Sequence, residues 1–171
     1  MKNVFLTGER KIGKSTIIKK ALEAFKGSLG GFKTAPCFLG DGSKRYTIEG
    51  LNPIFRGEAR WICVDNGEGR MIGLAGTFED YGVRILKHSL KERPDLVIMD
   101  ELGLFESEAI NFQEHVFDLL GSPLPVLGVL KAASSSFLNE IRNRRDVIIL
   151  PVTGENRDLL AEKVAGWLQD L

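Results

Sequence analysis

The sequence has few cysteines and no long hydrophobic run. Its 171 residues include only Cys37 and Cys63, too few for a disulfide framework or a four-cysteine zinc site. No apolar stretch approaches the roughly 20 residues that a membrane-spanning helix requires, and no cleavable export signal follows Met1. We therefore expect reduced thiols, no membrane association and a cytoplasmic location.

An excess of charge of either sign is also missing, because 23 lysines and arginines balance 23 aspartates and glutamates. Such a chain has no general attraction for nucleic acid or for an anionic membrane, so any anion site must be local. Hydrophobic residues make up 43% of the sequence, which suffices for a buried core in a chain of this length. We predict a single domain spanning residues 1–171.

Short apolar runs alternate with segments of helical spacing along most of the chain. Strands are predicted at VFLT (4–7), FKTAPCFL (32–39), LVIMD (96–100), PVLGVL (125–130) and DVIILPV (146–152). Helices are predicted at 14–25, from Tyr81 to just before Pro94, near 108–120, near 136–142 and at about 156–168. This alternation predicts a three-layer α/β/α fold, in which a mainly parallel sheet carries helices on both faces.

Residues 44–75 depart from this alternation. Three strand-like segments, KRYTIEG, RWICVDN and GRMIGLA, follow one another there with glycines in and between them. Short strands separated by turn residues are typical of antiparallel pairing. We predict an antiparallel hairpin insertion at about 44–75.

The segment GERKIGKS, residues 8–15, has the form G-x-x-x-x-G-K-S of a Walker A phosphate loop (P-loop), between a predicted strand and a predicted helix. In this context backbone N–H groups and the helix N-terminus bind phosphates, since the helix dipole favours negative charge. Lys14 adds a positive charge for the β- and γ-phosphates, and the Ser15 hydroxyl suits Mg2+. The predicted nucleotide-binding residues are Gly8, Glu9, Arg10, Lys11, Ile12, Gly13, Lys14, Ser15 and Thr16.

An acidic pair, Asp100 and Glu101, closes the apolar run LVIM. Ligands of open α/β sheets bind at this carboxyl edge of the strands, and an aspartate here (Walker B) helps to hold Mg2+ in P-loop enzymes. We predict Asp100 and Ser15 as the metal-binding residues. Glu101 is predicted to orient the attacking water or accept its proton, which makes Glu101 and Lys14 the predicted catalytic residues.

Further motifs accompany these two: GGFKT (30–34), SKRYTIEG (43–50), FEDYGV (78–83), MDELGLFE (99–106), EIRNRRDV (140–147) and VTGENRD (152–158). With them the sequence resembles the THEP1 family of nucleoside-triphosphatases over nearly its whole length. The resemblance implies a small RecA-like P-loop NTPase that depends on Mg2+, turns over slowly and accepts ATP, GTP and other nucleoside triphosphates. It implies no established protein partner.

By position, Lys14, Ser15, Asp100 and Glu101 match the family's phosphate-loop lysine, its hydroxyl residue and its acidic pair, and residues 156–158 match its NRD signature. The loop after the last strand often lies beside the nucleotide base in P-loop folds. Asn156 would then hydrogen-bond the base and Arg157 would stack on it. An equally good interpretation of Asn156 is the N-cap of the last helix.

Two features depart from the family pattern. Lys11 stands where the family's loop commonly has a glycine, and residues 36–38 read PCF where the family has EVR.

A cation that acts on the γ-phosphate is also expected. Lys131 is the first candidate, with three arginines behind it: Arg142, Arg144 and Arg145. The arginines of the insertion, at 45, 56 and 60, are expected to be ordinary surface residues.

These observations predict a hydrolase that converts nucleoside triphosphates to the diphosphate and phosphate with Mg2+ as cofactor. One alternative is a P-loop small-molecule or nucleoside kinase, in which the insertion holds an acceptor. Another is a slow nucleotide-dependent switch protein. Glu101 favours hydrolysis, because a carboxylate that orients water would waste triphosphate in a kinase site.

Overall fold

The computed structural model describes residues 3–40 and 42–171. Strands and helices alternate in it as the sequence predicts. The strands of these residues are β1 (Asn3–Thr7), β2 (Leu29–Phe38), β3 (Lys44–Gly50), β4 (Ala59–Trp61), β5 (Cys63–Asp65), β6 (Met71–Gly73), β7 (Leu96–Leu102), β8 (Val126–Leu130) and β9 (Val147–Pro151). The helices are α1 (Lys14–Leu22), α2 (Ala75–Thr77), α3 (Val83–Glu92), α4 (Ile110–Gly121), α5 (Ser136–Asn143) and α6 (Arg157–Gln169), with a 3-10 turn at Pro53–Phe55 and a π-helical turn at Phe78–Gly82.

The main sheet of the described chain has seven strands in the order β4-β3-β2-β7-β8-β1-β9. The strands from β2 to β9 in this order run parallel, and β3 and β4 extend the sheet antiparallel at one edge. Strands β1 and β7, which precede the P-loop and the acidic pair, are separated only by β8. The two motifs therefore both lie at the carboxyl ends of the parallel strands, with one strand between them.

Helices cover both faces of the sheet. Successive residues of a strand point to opposite faces, so each face has its own apolar side chains for the helices to bury. On β1, Val4 and Leu6 face a core formed with α1 and α6, whereas Phe5 faces a second core formed with α3, α4 and α5. All three side chains are buried. The predicted three-layer α/β/α fold with a mainly parallel sheet is confirmed.

The insertion is antiparallel, as predicted, but it contributes to two sheets. The segment RWICVDN is divided at Ile62 into β4, which joins the main sheet, and β5, which pairs with β6 in a separate hairpin. This hairpin lies against the loop that follows the acidic pair: a Cβ on Gly73 would fall 2.1 Å from the carbonyl oxygen of Phe105. Only glycine permits so close an approach.

Two helix boundaries differ from the prediction. The helical segment that precedes Pro94 begins at Ala75 rather than Tyr81, and its middle turn, Phe78–Gly82, is π-helical. The apolar period of about 3.6 residues that reveals an α-helix does not hold through such a turn. Helix α1 ends at Leu22, so Phe25 packs from a turn beyond it. Within the described residues, no helix has the length and apolar character needed to cross a membrane.

Candidate active site

The P-loop joins β1 to α1 and curls tightly around the start of the helix. Gly8 has φ 147°, and a Cβ there would lie 2.7 Å from the carbonyl oxygen of Val152. Gly13 is the N-cap of α1 and is left-handed, with φ 109°. The first turn of α1 therefore directs its unbonded N–H groups toward the inside of the loop, as anion binding requires.

The middle of the loop carries its charged side chains outward. Glu9, Arg10 and Lys11 are exposed, and the Arg10 guanidinium donates a 2.8 Å hydrogen bond to the Tyr46 hydroxyl on β3. Lys11 is left-handed with φ 65°, a conformation that glycine adopts more readily. Lys11 therefore has a backbone conformation in which a glycine would be less strained.

Lys14 is almost completely buried, with 8% of its surface exposed. Its ammonium group turns back into the loop and donates to the carbonyl oxygens of Gly8, at 2.9 Å, and Glu9, at 2.7 Å. The loop thus encloses a positive charge at its centre. Of the other loop residues, Ile12 packs against the α1–α6 core and Thr16 is exposed on α1.

The P-loop and the acidic strand meet at Ser15 and Asp100. The Ser15 hydroxyl donates a 3.0 Å hydrogen bond to a carboxylate oxygen of Asp100. The pKa of Asp100 is raised to about 6, chiefly by burial and in smaller part by nearby Glu101, while the bond from Ser15 and the charge of Lys14 oppose the rise. A pKa raised in this way marks a carboxylate with too little positive charge around it.

This pair of oxygen donors fits Mg2+, a hard cation that prefers hydroxyl and carboxylate oxygens. A cation at this point would also supply the positive charge that Asp100 lacks. No group of three or more His, Cys, Asp or Glu side chains is positioned to hold a metal in the part of the chain that the structure describes. The remaining ligands would be phosphate oxygens and water, the usual arrangement for Mg2+ beside a nucleotide.

Glu101 sits at an irregular point of β7. Its peptide bond to Asp100 is cis, and the pairing of β7 with β8 shifts register between Met99 and Leu102. The Glu101 N–H lies 3.3 Å from the hydroxyl oxygen of Thr34 on β2, to which it donates. Thr34 was not predicted as a site residue, although it ends the GGFKT motif, which was the available signal.

A second buried acid follows Glu101 in the same loop. Glu106 is only 2% exposed and accepts a hydrogen bond from the Gly103 N–H. Burial raises its pKa to about 7; two backbone N–H groups oppose the rise, Glu101 adds to it, and Lys131 lowers it. Glu106 was not predicted as a site residue, although it ends the MDELGLFE motif, because an acid in the loop after a strand normally faces solvent.

The loop between β9 and α6 brings its NRD segment to the phosphate loop. The Asn156 side chain accepts from the Thr153 N–H at 2.8 Å and donates to the Pro151 carbonyl at 2.9 Å, so it shapes this loop. Asn156 occupies the N-cap position of α6 without capping it through its side chain. Arg157 is exposed beside the P-loop: a Cβ on Gly13 would lie 3.9 Å from the Arg157 Cδ.

Two of the four cations expected to act on the γ-phosphate, Arg142 and Arg144, are engaged elsewhere. Arg142 donates to the Lys131 carbonyl at 2.6 Å and to Asn139 at 2.8 Å, and Arg144 pairs with Asp146 at 2.7 Å. In the insertion, Arg45 and Arg60 lie over the rings of Trp61 and Tyr81, and Arg56 is exposed. Arg145 is exposed as well. Lys131 lies at the end of β8, between the P-loop and the acidic pair.

Comparison with known proteins gives consistent matches over nearly the full length. A family model described as NTPase matches residues 3–165. A relative from Thermotoga maritima, named nucleoside-triphosphatase THEP1, is 31% identical over 97% of this chain and 95% of the relative's own length. A relative from Bos taurus, named cancer-related nucleoside-triphosphatase homolog, is 29% identical over 98% of this chain and 97% of its own. The crystal structure of THEP1 from Aquifex aeolicus superposes with a TM-score of 0.80 over 99% of each chain, at 23% identity, which shows a shared fold.

Proposed function

This chain belongs to the NTPase family of THEP1-type nucleoside-triphosphatases and is a nucleoside-triphosphatase; we propose that its P-loop and acidic pair together carry out the hydrolysis with Mg2+. The substrates proposed are ATP, GTP and other nucleoside triphosphates. The observation that supports this site most directly is the 3.0 Å contact of Ser15 with Asp100, which joins the two motifs at one edge of the sheet. Residues 1–171 are proposed to act as one catalytic domain.

Binding would exploit the charge enclosed by the P-loop. The α1 N-terminus and the loop N–H groups receive the β- and γ-phosphates, and the Lys14 ammonium exchanges its two carbonyl partners, on Gly8 and Glu9, for phosphate oxygens. Ser15 and Asp100 would hold Mg2+, which neutralises phosphate charge when bound. Arg157, beside Gly13, is placed to contact the nucleotide, and Asn156 shapes the loop from which Arg157 extends.

Hydrolysis needs one water molecule in line with the γ-phosphate. We assign Glu101 to orient this water and take its proton. The water oxygen forms a bond to the γ-phosphorus, and the bond from that phosphorus to the bridging oxygen breaks, with its electron pair remaining on the diphosphate. The bond from the Glu101 N–H to Thr34 positions the backbone of this residue at the sheet edge.

The test is phosphate release from ATP, GTP, CTP and UTP with Mg2+ and without an acceptor. We expect Lys14→Ala and Glu101→Gln each to lower kcat at least about 100-fold, with nucleotide binding retained in Glu101→Gln. Lys19→Ala, on the exposed side of α1, and Glu108→Gln, an exposed acid in the loop after β7, are matched controls expected to leave the rate unchanged.

Retained activity in Lys14→Ala or Glu101→Gln would contradict the assigned roles. A wild-type protein that binds nucleotide with Mg2+ but releases phosphate only when an acceptor is added would instead support a kinase. A cytoplasmic location is proposed as well, in line with the two free thiols, Cys37 and Cys63.

A further inference from the structure

Lys131 occupies a distinctive place among the cations near the site. It directly follows β8, the strand between β1 and β7. The register aligns Val129 with Leu6, just before the P-loop, and Leu130 with Leu102, just after the acidic pair. Lys131 therefore leaves the sheet between the two motifs that bind phosphate and activate water.

Several contacts hold this lysine in a defined position. Its N–H donates to the Leu102 carbonyl at 2.9 Å, and its own carbonyl accepts from Arg142 at 2.6 Å. Its side chain runs along the loop after Glu101: a Cβ on Gly103 would lie 3.3 Å from the Lys131 Cδ, and the ammonium lies 5.6 Å from the centre of the Phe105 ring. A long side chain fixed in this way loses little freedom when it binds a ligand.

The Lys131 ammonium also remains available for an anion. It forms no ion pair with any carboxylate among residues 3–40 and 42–171, although its charge reaches Glu106 and lowers the pKa of that buried acid. Arg142 and Arg144 are committed to other partners, as described above. Two acids, Asp100 and Glu101, lie in this region, so a positive side chain in addition to Lys14 would offset the local negative charge that an incoming γ-phosphate meets.

We propose that Lys131 contacts the γ-phosphate and supplies, from the same chain, the second positive side chain that stabilises the charge developing during hydrolysis. This inference rests on the proposed function. Lys14 approaches the phosphates from the loop and Lys131 from the end of β8, on the side of the acidic pair. A charge placed where it acts more strongly on the transition state than on the bound substrate raises kcat more than it lowers KM.

The experiment compares Lys131→Met, which keeps the length of the side chain without the charge, with Lys131→Arg, which keeps the charge. Lys44→Met is the matched control, because the Lys44 ammonium also lies over aromatic rings, 5.7 Å from Phe38 and 4.8 Å from Tyr46. Each variant is assayed for kcat and KM with ATP and Mg2+. Its affinity is measured for ADP alone and for ADP with aluminium fluoride, which mimics the transferring phosphoryl group.

We expect Lys131→Met to lower kcat about 100-fold with KM within about threefold, and to weaken the aluminium fluoride complex without weakening ADP binding. Lys131→Arg should recover most of the lost rate, and Lys44→Met should match the wild type. An unchanged kcat in Lys131→Met, an equal loss in ADP binding, or a Lys131→Arg variant no more active than Lys131→Met would each overturn the proposal. Because the wild type is assayed in parallel, failure of the hydrolase function itself would be seen separately, as absent phosphate release.

Discussion

Replacement of the buried acid Glu106 by glutamine should stabilise the protein above neutral pH. The pKa of Glu106 is raised from 4.5 to about 7, chiefly by burial. Between these two values the folded chain keeps a proton that the unfolded chain has released, so the free energy of unfolding falls as pH rises through this window. At about 1.4 kcal/mol per pH unit, the rise from 4.5 to about 7 corresponds to about 3 kcal/mol.

Glutamine has nearly the shape of protonated glutamic acid and retains an oxygen that can accept from the Gly103 N–H. Glu106→Gln should therefore match the wild type in stability near pH 4.5 and exceed it by about 3 kcal/mol at pH 8. Urea unfolding followed by the fluorescence of Trp61 and Trp167 measures the difference at each pH. Glu114→Gln, an exposed acid on α4, is the control. Parallel curves for the wild type and Glu106→Gln across this range would refute the reasoning.

Two further substitutions test contacts around the site. Gly73→Ala places a methyl group 2.1 Å from the Phe105 backbone oxygen, so it should lower the free energy of unfolding by about 1–3 kcal/mol, measured by urea unfolding. Its control is Gly76→Ala, in open space on α2, which should leave the free energy of unfolding unchanged or raise it by up to about 1 kcal/mol. Equal effects of the two substitutions would contradict the close approach. Asn156→Ala removes two hydrogen bonds that shape the β9–α6 loop, so it should lower the free energy of unfolding by about 2 kcal/mol. The control is a substitution at an exposed asparagine, Asn143→Ala. An unchanged unfolding midpoint in Asn156→Ala would disprove the prediction.

The fold was largely predictable because its signals are local. The apolar runs at residues 96–100 and 125–130 became β7 and β8, and the alternation of strands and helices specified a mainly parallel sheet. Errors arose where local periodicity fails. The π-helical turn at Phe78–Gly82 hid the start of a helical segment, and RWICVDN, although strand-like throughout, divides at Ile62 between two sheets. Which sheet a strand joins depends on long-range pairing, which a single sequence does not show.

The same distinction applies to the site. Lys14, Ser15 and Asp100 lie together because their motifs fix both the local conformation and the position at the sheet edge. The bond from Arg10 to Tyr46 joins residues 36 positions apart in two different motifs, and neither motif indicates that the two residues meet. Burial of Glu106 could not be predicted for a similar reason, since packing of the β5–β6 hairpin on the neighbouring Phe105 is a tertiary contact.

The two hydrogen bonds that the Lys14 ammonium donates inside its own loop have a consequence for binding selectivity. The carbonyl oxygens of Gly8 and Glu9 act as an intramolecular competitor, so a ligand must replace two charge-assisted bonds at 2.9 and 2.7 Å with better ones. An anion with few charges, or with a single oxygen within reach, gains little binding free energy from this exchange. A polyphosphate that contacts the whole loop gains much more. At the proposed site, the same exchange would ease departure of the product, because the buried ammonium would regain its internal partners as the phosphates leave.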